Sequence, residues 1–207
     1  MGQGAIQPVL RGYYGDRFLL TDDGITVGDL SNTSIDHAVS MDMASYNKVE
    51  IIRGPKALLY GSNTIGGIID VTRFADQTAR YKKNQIKGIF GSESSNTGLF
   101  GNVIAYLPIH KNHQFRISFL NRKTGDQITP IGVLNNTALT NKELATCYTY
   151  FGKRSRTIFC YETIDLDYGI PGSPEGHIDG VEIKMGKTTQ RANYSRNISI
   201  LGFEEVE

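Results

Sequence analysis

The chain has 207 residues, 22 of them basic and 21 acidic, which leaves a formal charge of +1. This balance gives no electrostatic support for a nucleic-acid partner. The sequence also has no apolar run near the ~20 residues that a membrane-spanning helix needs, so contact with the interior of a bilayer would have to be made by β-strands.

The first 47 residues are predicted to form short strands, a hairpin and a loop. The run Asp22-Asp23-Gly24 predicts the hairpin, because Asp and Gly tolerate the positive φ angles of a tight turn. In the loop, Asp36 and His37 offer an oxygen and a nitrogen, which suits Zn²⁺, Ni²⁺ or a related ion. The alternative is that Asp36 caps a turn and His37 hydrogen-bonds within the fold. Strands are expected at Pro8 to Arg11, Phe18 to Thr21 and Ile25 to Val27.

Residues 47–71, NKVEIIRGPKALLYGSNTIGGIIDV, place two strand-like apolar runs around a glycine-rich centre. The triplet Arg53-Gly54-Pro55 ends the first run, and residues 57–60 suit a turn of helix. The spacing excludes two enzymatic motifs, since there is neither a GxxxxGK phosphate loop nor a GxSxG nucleophile turn. The residues expected to take the positive φ angles of tight reversals are Gly61, Gly66 and Gly67.

From residue 74 onward the sequence alternates between apolar and polar positions, which is typical of β-strands with one apolar and one polar face. In HQFRISFLNR, the side chains of Phe115, Ile117 and Phe119 are predicted to lie on one face, opposite Gln114, Arg116 and Ser118. We expect about six strands, with Tyr148, Tyr150, Phe159 and Tyr161 available for aromatic belts. Short turns alternate with long polar loops, which favours a transmembrane barrel over a soluble β-sandwich.

The two cysteines, Cys147 and Cys160, lie on successive predicted strands. A cross-strand disulfide is one interpretation, and it would require an oxidising compartment such as the periplasm or the cell surface. A pair of free thiols, buried or facing lipid, is the plainer interpretation, because only some cross-strand positions satisfy disulfide geometry.

The combination of RGP, LLYGS and IGG at their spacing resembles the end of the plug domain of TonB-dependent outer-membrane receptors. The segment QPVLRGYYGDRFLLTDDGITVGDLS resembles an earlier part of the same domain. The resemblance implies a mainly β fold, with a partial α/β plug domain over residues 1–73 and the first strands of a transmembrane antiparallel β-barrel over residues 74–207. The residues that the resemblance assigns to the structural plug motif are Arg53, Gly54, Pro55, Gly61, Gly66 and Gly67.

The amino terminus, MGQGAIQPVLRG, shows neither a signal peptide nor the apolar box through which such receptors engage TonB. We therefore expect the chain to be a piece of a larger protein. The resemblance implies import of a metal ion or a metal chelate such as a zinc, nickel or iron complex. It implies no covalent chemistry and no cofactor apart from the transported metal or chelate.

The implied location is the outer membrane of a Gram-negative bacterium. The implied partners are the TonB–ExbB–ExbD system, outer-membrane lipid and the substrate. An alternative within transport is an iron-siderophore or haem receptor that does not ligate the metal directly. A rival from another class is a soluble β-rich carbohydrate-binding or hydrolytic domain, whose paired carboxylates would be Glu162 with Asp165 or Asp167.

The run Ser34-Ile35-Asp36-His37-Ala38-Val39 resembles a segment of receptors related to zinc importers. This resemblance implies that Asp36 and His37 contact a metal ion, together with further ligands from the barrel. His177 lies where relatives carry a histidine-rich loop, but here the loop is short, so a solvated loop is the main alternative to a ligand role.

Overall fold

The structure is a computed structural model that describes residues 9–10, 12, 18–27, 41–60, 66–74, 79–172, 180–196 and 205–206. Two larger sheets and two small ones make up this part of the chain. In chain order the strands are β1 (Leu19–Asp22), β2 (Ile25–Thr26), β3 (Lys48–Ile52), β4 (Ile68–Thr72), β5 (Arg80–Tyr81), β6 (Gln85–Glu93), β7 (Gly98–His110), β8 (His113–Thr124), β9 (Gln127–Thr129), β10 (Gly132–Leu134), β11 (Leu139–Phe151), β12 (Ser155–Ile170), β13 (Val181–Arg196) and β14 (Glu205–Val206).

The first large sheet has four strands in the order β2-β1-β4-β3. Strand β1 runs parallel to β4, whereas β2 and β3 are antiparallel to their neighbours. The predicted hairpin between β1 and β2 is present, with φ of 51° at Asp23 and 77° at Gly24. Two 3₁₀ helices, Met43–Ser45 and Gly54–Tyr60, lie on either side of β3.

These 3₁₀ helices refine two expectations from the sequence. The helical turn expected at residues 57–60 begins three residues earlier, at Gly54, where φ is +70°. The stretch expected to be loop contains the turn Met43–Ser45, because the Asp42 side chain caps it by accepting a hydrogen bond from the Ala44 N–H at 3.0 Å.

The second large sheet is an antiparallel meander in the order β13-β12-β11-β8-β7-β6. The six long strands agree in number with the sequence prediction. Short turns at residues 111–112 and 152–154 define its short-turn end. Longer connections at residues 125–138 and 171–180 define its long-loop end, and the first of them carries the β9–β10 hairpin.

The six-stranded sheet buries charged and polar side chains, beside apolar ones, on its covered face and exposes many large apolar side chains on the opposite face. On β8, Gln114 is buried against residues 79–81 and Arg116 against Phe74, whereas Ile117 and Phe119 are 40% and 50% exposed. The predicted alternation is therefore confirmed. This arrangement is the reverse of a soluble sheet, in which the apolar face packs on the core.

The exposed face also changes character along the strands. Tyr148, Tyr150, Phe159 and Tyr161 lie on it towards the short-turn end, and the His113 Nδ1 atom is 2.5 Å from the Tyr148 hydroxyl. Towards the long-loop end, cross-strand neighbours carry opposite charges, in the pairs Lys142–Asp165 and Asp167–Lys184. No helix in the described part of the chain is both long and apolar enough to cross a membrane.

The expectation of free thiols is wrong. Cys147 and Cys160 are directly opposed on β11 and β12, with Cα atoms 4.1 Å apart, and they form a disulfide. The reason is the register of the hairpin, which pairs Phe151 with Arg156 and so places both cysteines on the covered face at the same level.

Candidate functional site: the interface between the two sheets

A buried ion cluster joins the end of β4 to the six-stranded sheet. Arg73 is 1% exposed, and its Nη1 atom lies 3.0 Å from the Glu143 Oε2 atom and also contacts Glu162. The guanidinium lies 4.2 Å from the centre of the Tyr46 ring. Burial raises the pKa of the Tyr46 hydroxyl, so the ring remains a neutral phenol beside the cation. The cluster brings together charges that are costly to bury unless they are paired.

A second cluster connects the β1–β2 hairpin with β13. The Arg191 Nη2 atom lies 2.5 Å from the Asp22 Oδ2 atom, and its Nη1 atom lies 3.2 Å from the Asp23 Oδ2 atom. The Asp23 carboxylate also accepts hydrogen bonds from the backbone N–H groups of Arg73 and Phe74. Asp23 therefore links both clusters through one turn.

A third cluster lies nearer the long-loop end. Arg122 on β8 binds the Asp42 carboxylate through two nitrogen atoms, with distances of 2.5 Å from Nε and 3.1 Å from Nη2. Its Nη1 atom contacts Glu93, and its guanidinium lies 4.3 Å from the centre of the Phe100 ring. Asn102 donates a hydrogen bond to the Ala44 carbonyl at 2.7 Å, which further fixes the 3₁₀ turn against the sheet.

A cavity of about 660 Å³ separates the two sheets beside the Arg122 cluster. The four-stranded sheet contributes mainly aliphatic side chains to its wall, and Met43 of the capped turn and Met41 just before that turn contribute two thioethers. Pockets of this size with few polar groups suit small organic ligands. The lining residues include Met41, Met43, Val49, Ile51, Ile69, Val71, Arg122, Leu139, Asn141 and Leu166.

The site residues predicted from sequence are only partly described by the structure. Asp36, His37, Gly61 and His177 lie outside the described residues, so their roles stay predictions. Within the described part of the chain, no group of three or more His, Cys, Asp or Glu side chains is arranged to hold a metal ion.

The described members of the glycine-rich motif lie at a reversal of the chain. Arg53, Gly54 and Pro55 are exposed where β3 passes into the 3₁₀ helix. Gly66 and Gly67 are buried before β4; Gly67 has φ of +110°, as expected, whereas Gly66 does not have a positive φ, so the expectation for Gly66 is wrong. A Cβ atom at Gly67 would lie 3.0 Å from the Ile52 carbonyl oxygen.

Sequence reasoning missed most of the charged residues at the interface. The sequence predicts only a turn at Asp22 and Asp23, although both carboxylates also pair with Arg191. The available signal was the occurrence of charged residues at inward positions of strands whose other face is apolar. Such positions are costly unless they have partners, so they indicate a second layer that supplies opposite charges. The inward residues in question are Arg116, Arg122, Glu143, Glu162 and Arg191.

The carboxylates considered for a hydrolytic site do not converge. Glu162 is buried beside Arg73, whereas Asp165 and Asp167 lie on the opposite face of β12. Because a hydrolytic pair must act on one substrate from one cleft, this geometry argues against the soluble hydrolytic alternative.

Comparison with known proteins identifies the amino-terminal third of the chain. Residues 1–68 match the family model of the TonB-dependent Receptor Plug Domain. The Hemin receptor of Yersinia enterocolitica is 45% identical over 60 residues, which is 29% of this chain and 8% of that protein. The Hemin receptor of Yersinia pestis is 41% identical over 61 residues, or 30% of this chain and 9% of that protein.

Solved structures share the fold over most of the chain. The copper transporter OprC superposes with a TM-score of 0.75 and 17% identity, covering 92% of this chain and 29% of that one. The ferric enterobactin receptor PfeA of Pseudomonas aeruginosa, as a mutant, gives a TM-score of 0.66 and 14% identity, covering 89% and 31%. This chain thus spans under a third of each of these structures. All four relatives are described as receptors or transporters rather than enzymes. Residues 1–68 thus match a TonB-dependent receptor plug domain, and the described part of the chain shares its fold with a copper transporter and a ferric enterobactin receptor.

Proposed function

We propose that this chain takes part in TonB-dependent import of an organic metal chelate, with haem as the first substrate to test. The single observation that carries the proposal is the layering of the two sheets. The four-stranded sheet contacts one face of the six-stranded sheet through three ion clusters, while the opposite face exposes many large apolar side chains. A plug inside the polar lumen of a lipid-embedded barrel has this arrangement.

The proposed location is the outer membrane of a Gram-negative bacterium. The exposed apolar side chains in the middle of the strands would contact lipid, and the tyrosines towards the short-turn end would lie at one interface. The charged pairs towards the long-loop end would then lie outside the hydrocarbon, because charge there is less costly than at the bilayer centre.

The cavity supports a chelate rather than a hydrated ion as the substrate. Its volume of about 660 Å³ and its aliphatic wall suit an organic ligand. The thioethers of Met41 and Met43 are soft donors able to approach a chelated metal in this cavity. The names of the Yersinia relatives add haem to this chemical argument.

Coupling to TonB, ExbB and ExbD would supply the force that opens a path beside the plug. The contact between the two sheets depends on charged side chains, which water can solvate when the sheets separate. An apolar contact of equal area would lose its hydrophobic stabilisation without such compensation. The ion clusters therefore suit an interface that is stable without TonB and that separates when TonB applies a force.

The test is haem titration of the purified receptor, followed by absorbance. Replacing Met41 and Met43 together by Ala should weaken haem binding at least tenfold, because the cavity loses both soft donors and apolar contact. Met185→Ala serves as the matched control, since Met185 packs beside Ile164, Leu166 and Tyr168 on the covered face and is absent from the cavity lining.

Unchanged haem affinity in the double variant would contradict the haem assignment. In that case uptake of free divalent metal by His37→Ala cells becomes the decisive measurement. A large loss of uptake at normal surface abundance would support direct ligation by Asp36 and His37. Retained uptake of metal, together with binding of a ferric catecholate, would support a siderophore substrate.

A further inference from the structure

The disulfide lies at the centre of a row of side chains that crosses the covered face of the six-stranded sheet. Strand pairing places Tyr106 next to Arg116, Arg116 next to Cys147, Cys147 next to Cys160, and Cys160 next to Arg191. The disulfide is therefore flanked by an arginine residue on each side. Arginines beside a cysteine favour its thiolate form.

The two flanking arginines differ in their partners. Arg191 binds Asp22 and Asp23, whereas Arg116 has no carboxylate within ion-pair distance among the described residues. Arg116 is 1% exposed, and its Nε and Nη2 atoms have no hydrogen-bond acceptor in the described part of the chain. A buried cation with unused donors is costly, so an anion formed beside it would be stabilised.

The plug side of the row is closed by Phe74. This residue packs in one cluster with Cys147 and Cys160, and the Arg116 guanidinium lies 4.9 Å from the centre of its ring. Cys160 also borders a cavity of about 50 Å³ that is shared with Asp23 and Phe74. This space holds one or two water molecules and excludes a dithiol reductant.

We propose that Cys147–Cys160 is a redox-active disulfide whose reduced form is stabilised by Arg116 and whose access is controlled by Phe74. A thiolate of a dithiol reductant attacks the sulfur of Cys160, forms a mixed disulfide, and releases Cys147 as a thiolate beside Arg116. The second thiolate of the reductant then attacks the reductant sulfur that is bonded to Cys160. This closes a disulfide within the reductant and releases Cys160 as a thiolate. Two electrons pass to the protein, and the reductant leaves as a disulfide.

The stability of the reduced form and the access of a reductant depend on different features of the molecule. The equilibrium between disulfide and dithiol rests only on the row of side chains in the six-stranded sheet. Control of access rests on the proposed function, because Phe74 must move with the plug. Measurements of equilibrium and of rate therefore separate failure of the redox site from failure of the transport proposal.

The equilibrium is measured on the intact receptor in detergent, in glutathione buffers, with alkylation of free thiols and gel mobility as the readout. Arg116→Gln should reduce the equilibrium constant for reduction about tenfold, or about 30 mV for a two-electron couple. Arg116→Lys keeps the charge and should remain within about threefold of the parent. Arg156→Gln is the matched control, since Arg156 is a buried arginine on the same face, four residues before Cys160.

Equal shifts in the Arg116→Gln and Arg156→Gln proteins would overturn the role of Arg116. If Arg116→Gln does not fold, the parent protein is measured alone in the glutathione buffers. A disulfide that stays oxidised there would be purely structural and would overturn the proposal, because structural disulfides resist reduction by glutathione at equilibrium. For access, Phe74→Ala should increase the rate of reduction at least tenfold, while the exposed Phe90→Ala should leave it unchanged. Equal rates in the two variants would overturn control by Phe74.

Discussion

At the scale of single residues, the interface depends on arginines that cross it in both directions. Arg73 extends from the four-stranded sheet to glutamates of the six-stranded sheet, while Arg122 and Arg191 extend the opposite way to aspartates. Planar guanidinium groups suit this role because they bind carboxylates through several donors at once. Because each of these arginines contacts a carboxylate from the other side, the charges at the interface are paired.

Arg73→Met should destabilise the protein by about 3–5 kcal/mol, because it leaves Glu143 and Glu162 buried without their cation. The free energy of unfolding in urea is the measurement. Lys48→Met is the control, since the Lys48–Glu50 pair is about half exposed and such surface pairs contribute about 1 kcal/mol or less. Replacing Glu143 and Glu162 by Gln in the Arg73→Met protein should recover part of the loss. Equal stability of the two single variants would show that the cluster is not what holds the sheets together.

At the scale of elements, the strands could be predicted from sequence but their partners could not. Alternation in HQFRISFLNR and the Asp-Gly turn are local signals, and both predicted elements are present. The ion clusters join residues up to 169 positions apart, as between Asp22 and Arg191, and no local pattern encodes such a contact. The disulfide lies between these two cases in how well it can be predicted, because Cys147 and Cys160 are equally far from the centre of the turn between Lys153 and Arg154. Counting outward from that turn predicts their pairing.

The reversal before β4 gives a prediction for one element. Gly67→Val should destabilise the four-stranded sheet, because a β-branched side chain at φ of +110° is strained and its Cβ atom would crowd the Ile52 carbonyl. Limited proteolysis should then cut residues 41–72 faster than in the parent. Gly186→Val on β13 is the matched control, since a Cβ atom there meets nothing within 4 Å and φ is not positive. Parent-like resistance of the Gly67→Val protein would mean that this reversal tolerates an ordinary side chain.

At the scale of the whole molecule, the arrangement of polar and apolar surface assigns an environment to each face. Charged side chains that are buried and large apolar side chains that are exposed are both costly in water, since the exposed apolar side chains stay hydrated. Under the proposed function, lipid replaces water on the outer face, and this cost is removed. The distribution of apolar side chains between the two faces therefore indicates the environment of each face. The overall hydrophobic fraction of 39% does not, because it contains no information about this distribution.

Depth in the bilayer provides the test of this interpretation. Phe119 lies on the exposed face near the middle of β8, and Phe119→Arg should reduce the stability of the folded receptor in phosphatidylcholine bilayers by about 2–4 kcal/mol. Asn121→Arg is the control, because it lies on the same face of the same strand, two residues nearer the long-loop end, and the cost of a charge falls towards the interface. Folding is followed by urea titration in vesicles. A neutral effect of Phe119→Arg, or an equal effect of both substitutions, would show that this face does not contact hydrocarbon.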